Sequence, residues 1–173
     1  MIADVENPGA LAKPGRLRRW LIGPVTAQLS RGTSPGRLAW TIALGIVLGI
    51  FPIMGTTTLV CLSAGWLLRL NQPVLQVFRA VVYPLHLALI LVFIRLGEQL
   101  HGVPLIQFSI PQLLGRFKDD PLQFARDFGM AAWHGVTAWL LVAPVAVVLI
   151  KLAVLPLLRR MARASAKREE AAR

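Results

Sequence analysis

The apolar residues of this chain are gathered in long uncharged runs, separated by short segments that contain proline, glycine and charged residues. Residues 38–68 contain no charged side chain, and neither do residues 80–94 or 128–150. A helix that crosses the hydrocarbon core of a bilayer needs about 20 consecutive, mostly apolar residues. The pattern therefore predicts an all-α integral membrane protein whose membrane domain extends over residues 37–158.

The first run is unusual in its length. As one straight helix its 31 residues would extend about 46 Å, against a hydrocarbon core of about 30 Å. The run is also too short for two crossings of about 20 residues each. Pro52 breaks a helix near the middle, and Gly55 permits the chain to reverse. These features predict a re-entrant helical hairpin over residues 37–69, with its tip near Ile53, that enters and leaves the bilayer on one side.

Residue spacing around the break supports the hairpin. Arg37 and Arg69 each lie 16 positions from Ile53. Trp40 and Trp66 each lie 13 positions from it. Tryptophan and arginine favour the membrane–water interface, so a hairpin places both pairs at one depth. A single tilted helix, the alternative, would place them at opposite interfaces and leave the break unexplained.

Four residues have predicted structural roles in or beside the hairpin. Gly45 and Gly49 have the spacing of small residues at which two membrane helices approach closely. Pro52 makes the break, and Asn71 follows the hairpin as a helix cap. Amide and carbonyl groups released at the break cannot face lipid. We therefore expect the tip to be covered by protein or to face a wet cavity.

Two transmembrane helices are predicted after the hairpin. The first extends over residues 71–99, with a kink at Pro84. Residues 100–127 contain three prolines and are predicted to form a periplasmic loop containing short helices. The second crossing is residues 128–150. Because the apolar character continues to Leu158, a second broken hairpin remains an alternative for this region.

The terminal segments are basic. Residues 1–36 are predicted to be cytoplasmic and to include an amphipathic interfacial helix over Gly15–Leu29, where three arginines alternate with apolar residues. A solvated basic linker is the alternative. Residues 159–173 are predicted to form a basic cytoplasmic tail.

Composition and charge agree with a membrane location. The chain is 55% hydrophobic and 16% charged, with a mean hydropathy of +0.62. Its formal net charge of +11 is concentrated at the ends, with +4 in residues 1–37 and +5 in residues 151–173, while residues 95–127 are neutral. The positive-inside rule places both termini in the cytoplasm. Basic tails would also suit nucleic acid, but lysine and arginine beside a membrane bind anionic lipid head groups, so no nucleic-acid partner is predicted.

The first candidate site is the run of Gly55, Thr56, Thr57 and Thr58. If the helix resumes here, its first amides have no helical partner and carry the positive end of the helix dipole. Membrane transporters hold anionic groups at such half-helix ends. The alternative is local, with the threonines capping the helix and bonding nearby carbonyls.

The second candidate site is a polar stripe on the next helix, in which successive members are four or three residues apart and therefore share one face. Its members are Gln72, Gln76, Arg79, Tyr83 and His86. Snorkelling of Arg79 and a structural, hydrogen-bonded His86 are the alternatives. Together the threonines and the stripe could hold a phosphate, with Arg79 as the cation and Tyr83 and His86 as further donors.

Signals for catalysis, metals and cofactors are weak. All four acids outside the terminal segments lie between residues 95 and 127, so no carboxylate pair is predicted within the membrane. His86, His101 and His134 are far apart in sequence, and Cys61 has no obvious base. For His134 an interfacial role is favoured. We therefore expect no enzyme activity, no metal and no cofactor.

Four segments share a pattern of small residues, proline and asparagine: Gly36-Arg-Leu-Ala39, Ala43-Leu-Gly45, Gly49-Ile-Phe-Pro52-Ile-Met-Gly55 and Leu68-Arg-Leu-Asn71-Gln-Pro73. In these segments the chain resembles a bacterial membrane family known as domain of unknown function 2062. The resemblance implies a small bacterial inner-membrane protein, whose relatives are sometimes joined to glycosyltransferase domains. Many relatives carry Asn-Pro followed by Thr in the second span. Here Tyr83-Pro84 and His86 stand in those places, so a role tied to that asparagine does not transfer.

Two functional hypotheses follow. The first is a protein that binds, and in its extended form translocates, an anionic lipid such as a polyprenyl phosphate or a phospholipid. The second is a non-catalytic scaffold whose small-residue faces pack against a glycosyltransferase, another envelope enzyme or a second copy in a homo-oligomer. Passage of an ion or small solute is less favoured, because one chain offers few spans and little polar lining.

Overall fold

The structure is a computed structural model that describes residues 23–29, 32–104 and 119–171. Regular structure in these ranges is helical, with no strand. The longer helices are α1 (Pro35–Gly49), α2 (Thr57–Leu67), α3 (Gln72–Val81), α4 (Tyr83–His101) and α5 (Pro121–Ala171). Residues 23–29 are also helical. The remainder of the helix predicted over Gly15–Leu29, and much of the predicted periplasmic loop, lie outside the described residues.

Helix α1 is bounded by prolines. At its start the Ser34 hydroxyl accepts a hydrogen bond from the Arg37 amide at 3.4 Å. Pro35 follows in the first turn, where an amide N–H has no helical partner in any case. Beyond Gly49, Pro52 has no N–H with which to continue the helical ladder. The sequence thus limits α1 to 15 residues.

Helices α1 and α2 run antiparallel as a helical hairpin. The chain reverses through Gly55, whose φ of +82° is a conformation that favours glycine. At the open end of the pair, Arg37 Nη2 donates a hydrogen bond to the Arg69 carbonyl at 3.3 Å. The start of α1 and the end of α2 therefore lie side by side.

The segment predicted as a kinked helix over residues 71–99 is helical, with an interruption two residues before the predicted kink at Pro84. This segment forms two helices, α3 and α4, that are separated at Val82. Asn71 caps α3, because its Oδ1 accepts a hydrogen bond from the Val74 amide at 3.2 Å. The break comes two residues before Pro84, which has no N–H to continue the ladder. Pro84 therefore lies in the first turn of α4.

Helix α5 is a single helix of 51 residues, about 76 Å long at 1.5 Å per residue. Asp120 Oδ1 caps it by accepting hydrogen bonds of 3.0 and 2.9 Å from two amides of the first turn. Residues 121–127, predicted as loop, are therefore helical. Because α5 continues through Pro144 and Pro156, the alternative of a second broken hairpin does not hold, and the tail from residue 159 prolongs the same helix.

Helix α1 lies at the centre of the fold, in contact with α2, α3 and α5, while α4 packs along α5. A Cβ added at Gly45 would lie 2.8 Å from the Leu75 carbonyl oxygen, and one at Gly49 would lie 2.7 Å from Val82 Cγ2. Both glycines therefore permit the close approach of α3. The main buried cluster contains Ala43, Val47, Leu48, Cys61, Leu75, Phe93, Ala138, Trp139, Ala143 and Val147.

Helices α4 and α5 are long and apolar enough to cross a membrane. Their apolar side chains point mostly outward, since 28% of the most apolar stretch of α4 and 11% of that of α5 is buried. The core helix of a water-soluble protein would be buried over most of its surface. Helices α1 and α2 are also apolar but shorter. The fold therefore has two candidate membrane spans beside a shorter apolar hairpin.

Candidate functional site

The reversal between α1 and α2 is covered on one side by α5. Pro52 is buried, and a Cβ added at Gly135 would lie 3.4 Å from the Pro52 Cβ. The Phe51 ring meets the Trp139 ring edge-on, with their centroids 5.0 Å apart. This is the protein cover that backbone groups at a helix break need in an apolar medium. Gly55, on the other side of the reversal, is exposed.

The three threonines after the reversal have different surroundings. Thr56 Oγ1 donates a hydrogen bond to the Ile53 carbonyl at 3.0 Å, which is the local role considered as the alternative to ligand binding. Thr57 is 4% exposed, whereas Thr58 is exposed. The side chain of Thr56, the N-cap residue of α2, makes no capping hydrogen bond. Within this part of the candidate site, Thr57 and the first amides of α2 are therefore the groups that remain available to a ligand.

The polar side chains of α3 are directed toward the hairpin. Gln72 Nε2 donates a hydrogen bond to the Leu62 carbonyl at 2.9 Å. Gly65 makes room for this amide, because a Cβ there would lie 2.7 Å from the Gln72 Cδ. One turn further along α3, Arg79 Nε donates to Gln76 Oε1 at 2.7 Å. The first three residues of the predicted stripe thus extend along α3 next to α2.

Arg79 lies against both helices of the hairpin. A Cβ added at Gly49, on α1, would lie 3.1 Å from the Arg79 Cα and 3.4 Å from its Cγ. On the α2 side, the guanidinium lies within electrostatic range of the Cys61 thiol. Cys61 is four residues after Thr57 and therefore on the same face of α2. Arg79 is partly buried, and no carboxylate in the described ranges forms a salt bridge with it.

Tyr83 and His86 lie beyond the break at Val82, so they do not continue the α3 stripe along one straight helix. Their rings are in contact, with centroids 5.9 Å apart. Tyr83 is 47% exposed, whereas His86 is 1% exposed. The His86 imidazole lies near the backbone of Ile50, where α1 ends. The structure therefore places His86 at the reversal and Arg79 on the flank of the hairpin.

Several buried polar atoms in or near this region have no hydrogen-bond partner among the residues that the structure describes. They are Gln72 Oε1, Gln76 Nε2, His86 Nδ1 and His134 Nδ1, and the first three belong to the predicted stripe. A buried polar atom without a partner costs about 1–3 kcal/mol. Such atoms in native proteins commonly bond to water or to an ion. The stripe therefore has unused hydrogen-bonding capacity beside a cation that lacks an anionic partner.

A further polar cluster lies near the end of α4. Glu98 is fully buried and pairs with Arg95, with 3.3 Å between Nη1 and Oε2. His101 Nδ1 donates to the Gly97 carbonyl at 2.8 Å, and the His101 and His134 ring centroids are 4.7 Å apart. In the sequence, Glu98 is one of four acidic residues that balance four basic residues between positions 95 and 127, a pattern that gives no sign of its burial. Gly97 directly precedes Glu98 in an apolar helix. A glycine at such a position indicates close packing of two helices, and this signal could have located the cluster.

Metal-binding geometry is not found in the described parts of the chain. No group of three or more His, Cys, Asp or Glu side chains there is arranged to hold an ion.

Residues 18–167 match the family described as "Uncharacterized protein conserved in bacteria (DUF2062)". The match covers most of the chain, and the protein belongs to this family. The resemblance predicted from the glycine–proline segments is therefore confirmed. The matched region includes the hairpin, the polar stripe and most of both candidate membrane spans. No curated protein and no solved structure matches the chain.

Proposed function

We propose that this protein is an integral membrane protein of the bacterial inner membrane that binds the phosphate group of an anionic lipid beside its helical hairpin. The observation that carries the proposal is Arg79. The residue is partly buried among apolar helices, and its guanidinium donates to Gln76 and has no carboxylate partner among the described residues. A charged residue in a membrane segment indicates a functional site, because its burial there is costly.

The surface of the helices supports a membrane location. Large apolar side chains on the outer face of α5 are 54–65% exposed, namely Leu140, Leu141, Val145, Leu149 and Leu152. An apolar surface of this extent indicates contact with lipid or with another protein. By the positive-inside rule, the basic segments before α1 and at the end of α5 support a cytoplasmic location for both termini.

The packing of α1 on α5 supports a re-entrant hairpin. Near the start of α1, Lys151 Nζ lies 4.1 Å from the centroid of the Trp40 ring. At the reversal, Gly135 lies against Pro52. Lys151 and Gly135 are separated along α5 by about 24 Å at 1.5 Å per residue. A hairpin that begins at the level of Lys151 would therefore reach across most of a hydrocarbon core of about 30 Å.

The site has the chemistry of phosphate recognition. A guanidinium can donate two parallel hydrogen bonds to phosphate oxygens. Gln76 Nε2, which lacks a partner, can donate a third. The Thr57 hydroxyl and the first amides of α2 lie toward the reversal, and His86 Nδ1 can donate from α4 in the appropriate tautomer. The lipid chains would lie along the apolar hairpin. Translocation is the extended form of this proposal, in which the head group moves along the polar stripe.

The test is lipid binding by variants that keep the fold. In lipid nanodiscs, Arg79→Gln and Thr57→Val should each reduce retention of a polyprenyl phosphate or of phosphatidic acid at least fivefold, measured by native mass spectrometry. Arg159→Gln, at an exposed position of α5, is the matched control and should bind as the wild type does. Equal retention by the wild type and by both site variants would refute the proposal. The same spectra report the subunit number, which tests the predicted homo-oligomer.

The small-residue face that the scaffold hypothesis assigns to a partner is covered by another helix of the same chain. Gly45 and Gly49 are in contact with α3 of the same chain, so this small-residue face is occupied within the chain. Association with a glycosyltransferase or another envelope enzyme would have to use a different surface, and it stays a prediction.

A further inference from the structure

A polar cavity of about 490 Å³ lies at the open end of the hairpin, opposite the reversal. It is situated between the segment that leads into α1 and the turn that joins α2 to α3. The polar side chains that line it are Thr33, Ser34, Arg37, Thr41, Arg69 and Asn71. Both arginines of the hairpin, predicted from their spacing to lie at one depth, thus line one cavity.

The charge of this cavity is positive and is not compensated by described residues. Arg37 Nη2 donates to the backbone carbonyl of Arg69, which holds the two residues together without neutralising either charge. No carboxylate within the described ranges forms a salt bridge with either guanidinium. Two cations held together in one cavity favour an anion that can accept hydrogen bonds from both.

Of the four remaining polar side chains, Ser34 and Asn71 can donate hydrogen bonds, whereas the Thr33 and Thr41 hydroxyls already donate to Gln28 Oε1 and to the Arg37 carbonyl. The Ser34 Oγ accepts from the Arg37 amide, and Asn71 Oδ1 accepts from the Val74 amide. The acceptor atoms of both caps are therefore used by their own helices, which leaves the Ser34 hydroxyl proton and Asn71 Nδ2 to donate. Helices α1 and α3 begin here and α2 ends here, so the positive ends of two helix dipoles support the field of the arginines and the negative end of one opposes it. An oxyanion matches this set of donors.

A second cavity adjoins the first on the other side of Arg69. Its volume is about 600 Å³, and its apolar lining includes Trp66, Leu67 and Leu70. Arg69 and Leu70 line both cavities. Trp66 is 80% exposed and Leu67 73% exposed, so the apolar cavity opens outward. A polar, positively charged space thus lies directly beside an apolar one.

We propose that these adjoining cavities form a binding site for a phosphate-bearing lipid. Its phosphate is bound by Arg37 and Arg69, and its hydrocarbon chain lies against Trp66 and Leu67. The site is at the opposite end of the hairpin from the reversal and does not depend on the function proposed for Arg79. Charge complementarity selects phosphatidic acid or a polyprenyl phosphate over a zwitterionic lipid, whose own cation would meet the two arginines.

The test uses Trp66 as a local reporter of lipid contact. Brominated acyl chains quench tryptophan, and the contribution of Trp66 is the difference between the protein and its Trp66→Phe variant. In nanodiscs at equal mole fraction, brominated phosphatidic acid should quench this contribution at least twofold more than brominated phosphatidylcholine. The Arg69→Gln variant should abolish that preference, whereas Arg69→Lys should retain most of it. Arg159→Gln, at an exposed position of α5, should leave it unchanged.

Three results would overturn the inference. One is equal quenching of Trp66 by both lipids in the unmodified protein. Another is a preference for phosphatidic acid that persists in Arg69→Gln. The third is saturable binding of inorganic phosphate in zwitterionic nanodiscs that requires Arg69 and occurs without any lipid preference, since this would assign the cavity to a water-soluble anion.

Discussion

The indole Nε1 of Trp139 donates a buried hydrogen bond, 3.2 Å long, to the backbone carbonyl of Val47, 92 residues earlier in the chain. In a continuous helix this carbonyl would accept from the Phe51 amide. The Phe51 amide instead donates to Leu48, at 3.3 Å, as the hairpin reverses. The indole therefore satisfies a carbonyl that the helix break releases.

Replacing Trp139 by Phe should destabilise the protein. The smaller ring keeps an aromatic side chain next to Phe51 but leaves the Val47 carbonyl unpaired in an apolar interior. We expect a loss of about 1–3 kcal/mol in the free energy of unfolding, measured by thermal or denaturant unfolding in mild detergent. Trp133→Phe, at a position that is 57% exposed, is the control and should change stability little. Equal stability of the two variants would show that the indole hydrogen bond contributes nothing.

Replacing Gly97 by Ala should separate α4 from α5. A Cβ at Gly97 would overlap the His134 carbonyl, and the overlap cannot be relieved by a side-chain rotation because the contacted atoms belong to the backbone. Overpacking of this kind costs about 1–3 kcal/mol, and sometimes more. The readout is the thermal midpoint in detergent, together with retention of the monodisperse peak in size-exclusion chromatography.

Gly129→Ala is the matched control for that variant. Gly129 lies in α5, and a Cβ there would have nothing within 4 Å. Alanine within a helix is more stable than glycine by about 0.5–1 kcal/mol, so this variant should melt slightly higher than the wild type. If Gly97→Ala were also stabilising, the close contact of α4 with α5 would be incorrect.

The conformation of Arg69 gives a prediction in which stability and binding change in opposite directions. Its φ is +51°, at a helix end where the Leu70 amide donates to the Gly65 carbonyl at 2.8 Å. Glycine is the usual residue at such an end, and a side chain there costs about 1–2 kcal/mol. Arg69→Gly should therefore raise the free energy of unfolding by about 1 kcal/mol and lose the lipid preference.

The Arg69→Ala variant distinguishes relief of strain from removal of charge. It removes the same guanidinium but keeps a Cβ, so it should lose lipid preference without any gain in stability. Denaturant unfolding of both variants, measured in one detergent, gives the comparison. A gain of equal size in both variants would assign the effect to charge repulsion with Arg37 instead of backbone conformation.

The hairpin is the part of the fold that sequence reasoning locates best. Pro52 removes a backbone donor wherever it lies, and equal spacing of Arg37 and Arg69 predicts that the two helix ends meet. The separation of α3 from α4 at Val82 could not be predicted in the same way. Pro84 is compatible with a kink or with a new helix start, and packing against α1 and α5 decides between them. Pro144 has a different outcome from Pro84, because α5 continues through Pro144 without interruption.

The candidate site was predictable only in part, because the packing of the helices decides which of its residues meet. Helical periodicity groups the residues from Gln72 to His86, but it assumes one straight helix. The break turns His86 toward Ile50 and leaves Arg79 with Gln76. Contacts between distant residues, such as that of His101 with His134, depend on how helices pack and have no local signal. The identity of polar residues was therefore predictable, whereas their partners were not.

The membrane placement of the hairpin can be tested directly by cysteine accessibility in whole cells and inverted vesicles. In a Cys61→Ala background, single cysteines replacing Arg37 and Arg69 should both react with a membrane-impermeant maleimide from the cytoplasmic side. Both positions are exposed, and the contact between them requires one level in the bilayer. A cysteine replacing Arg126, near the start of α5, should react only from the periplasmic side and serves as the control for orientation. Labelling of positions 37 and 69 from opposite sides would mean that the segment crosses the membrane once, and the lipid sites proposed at the two ends of the hairpin would have to be abandoned.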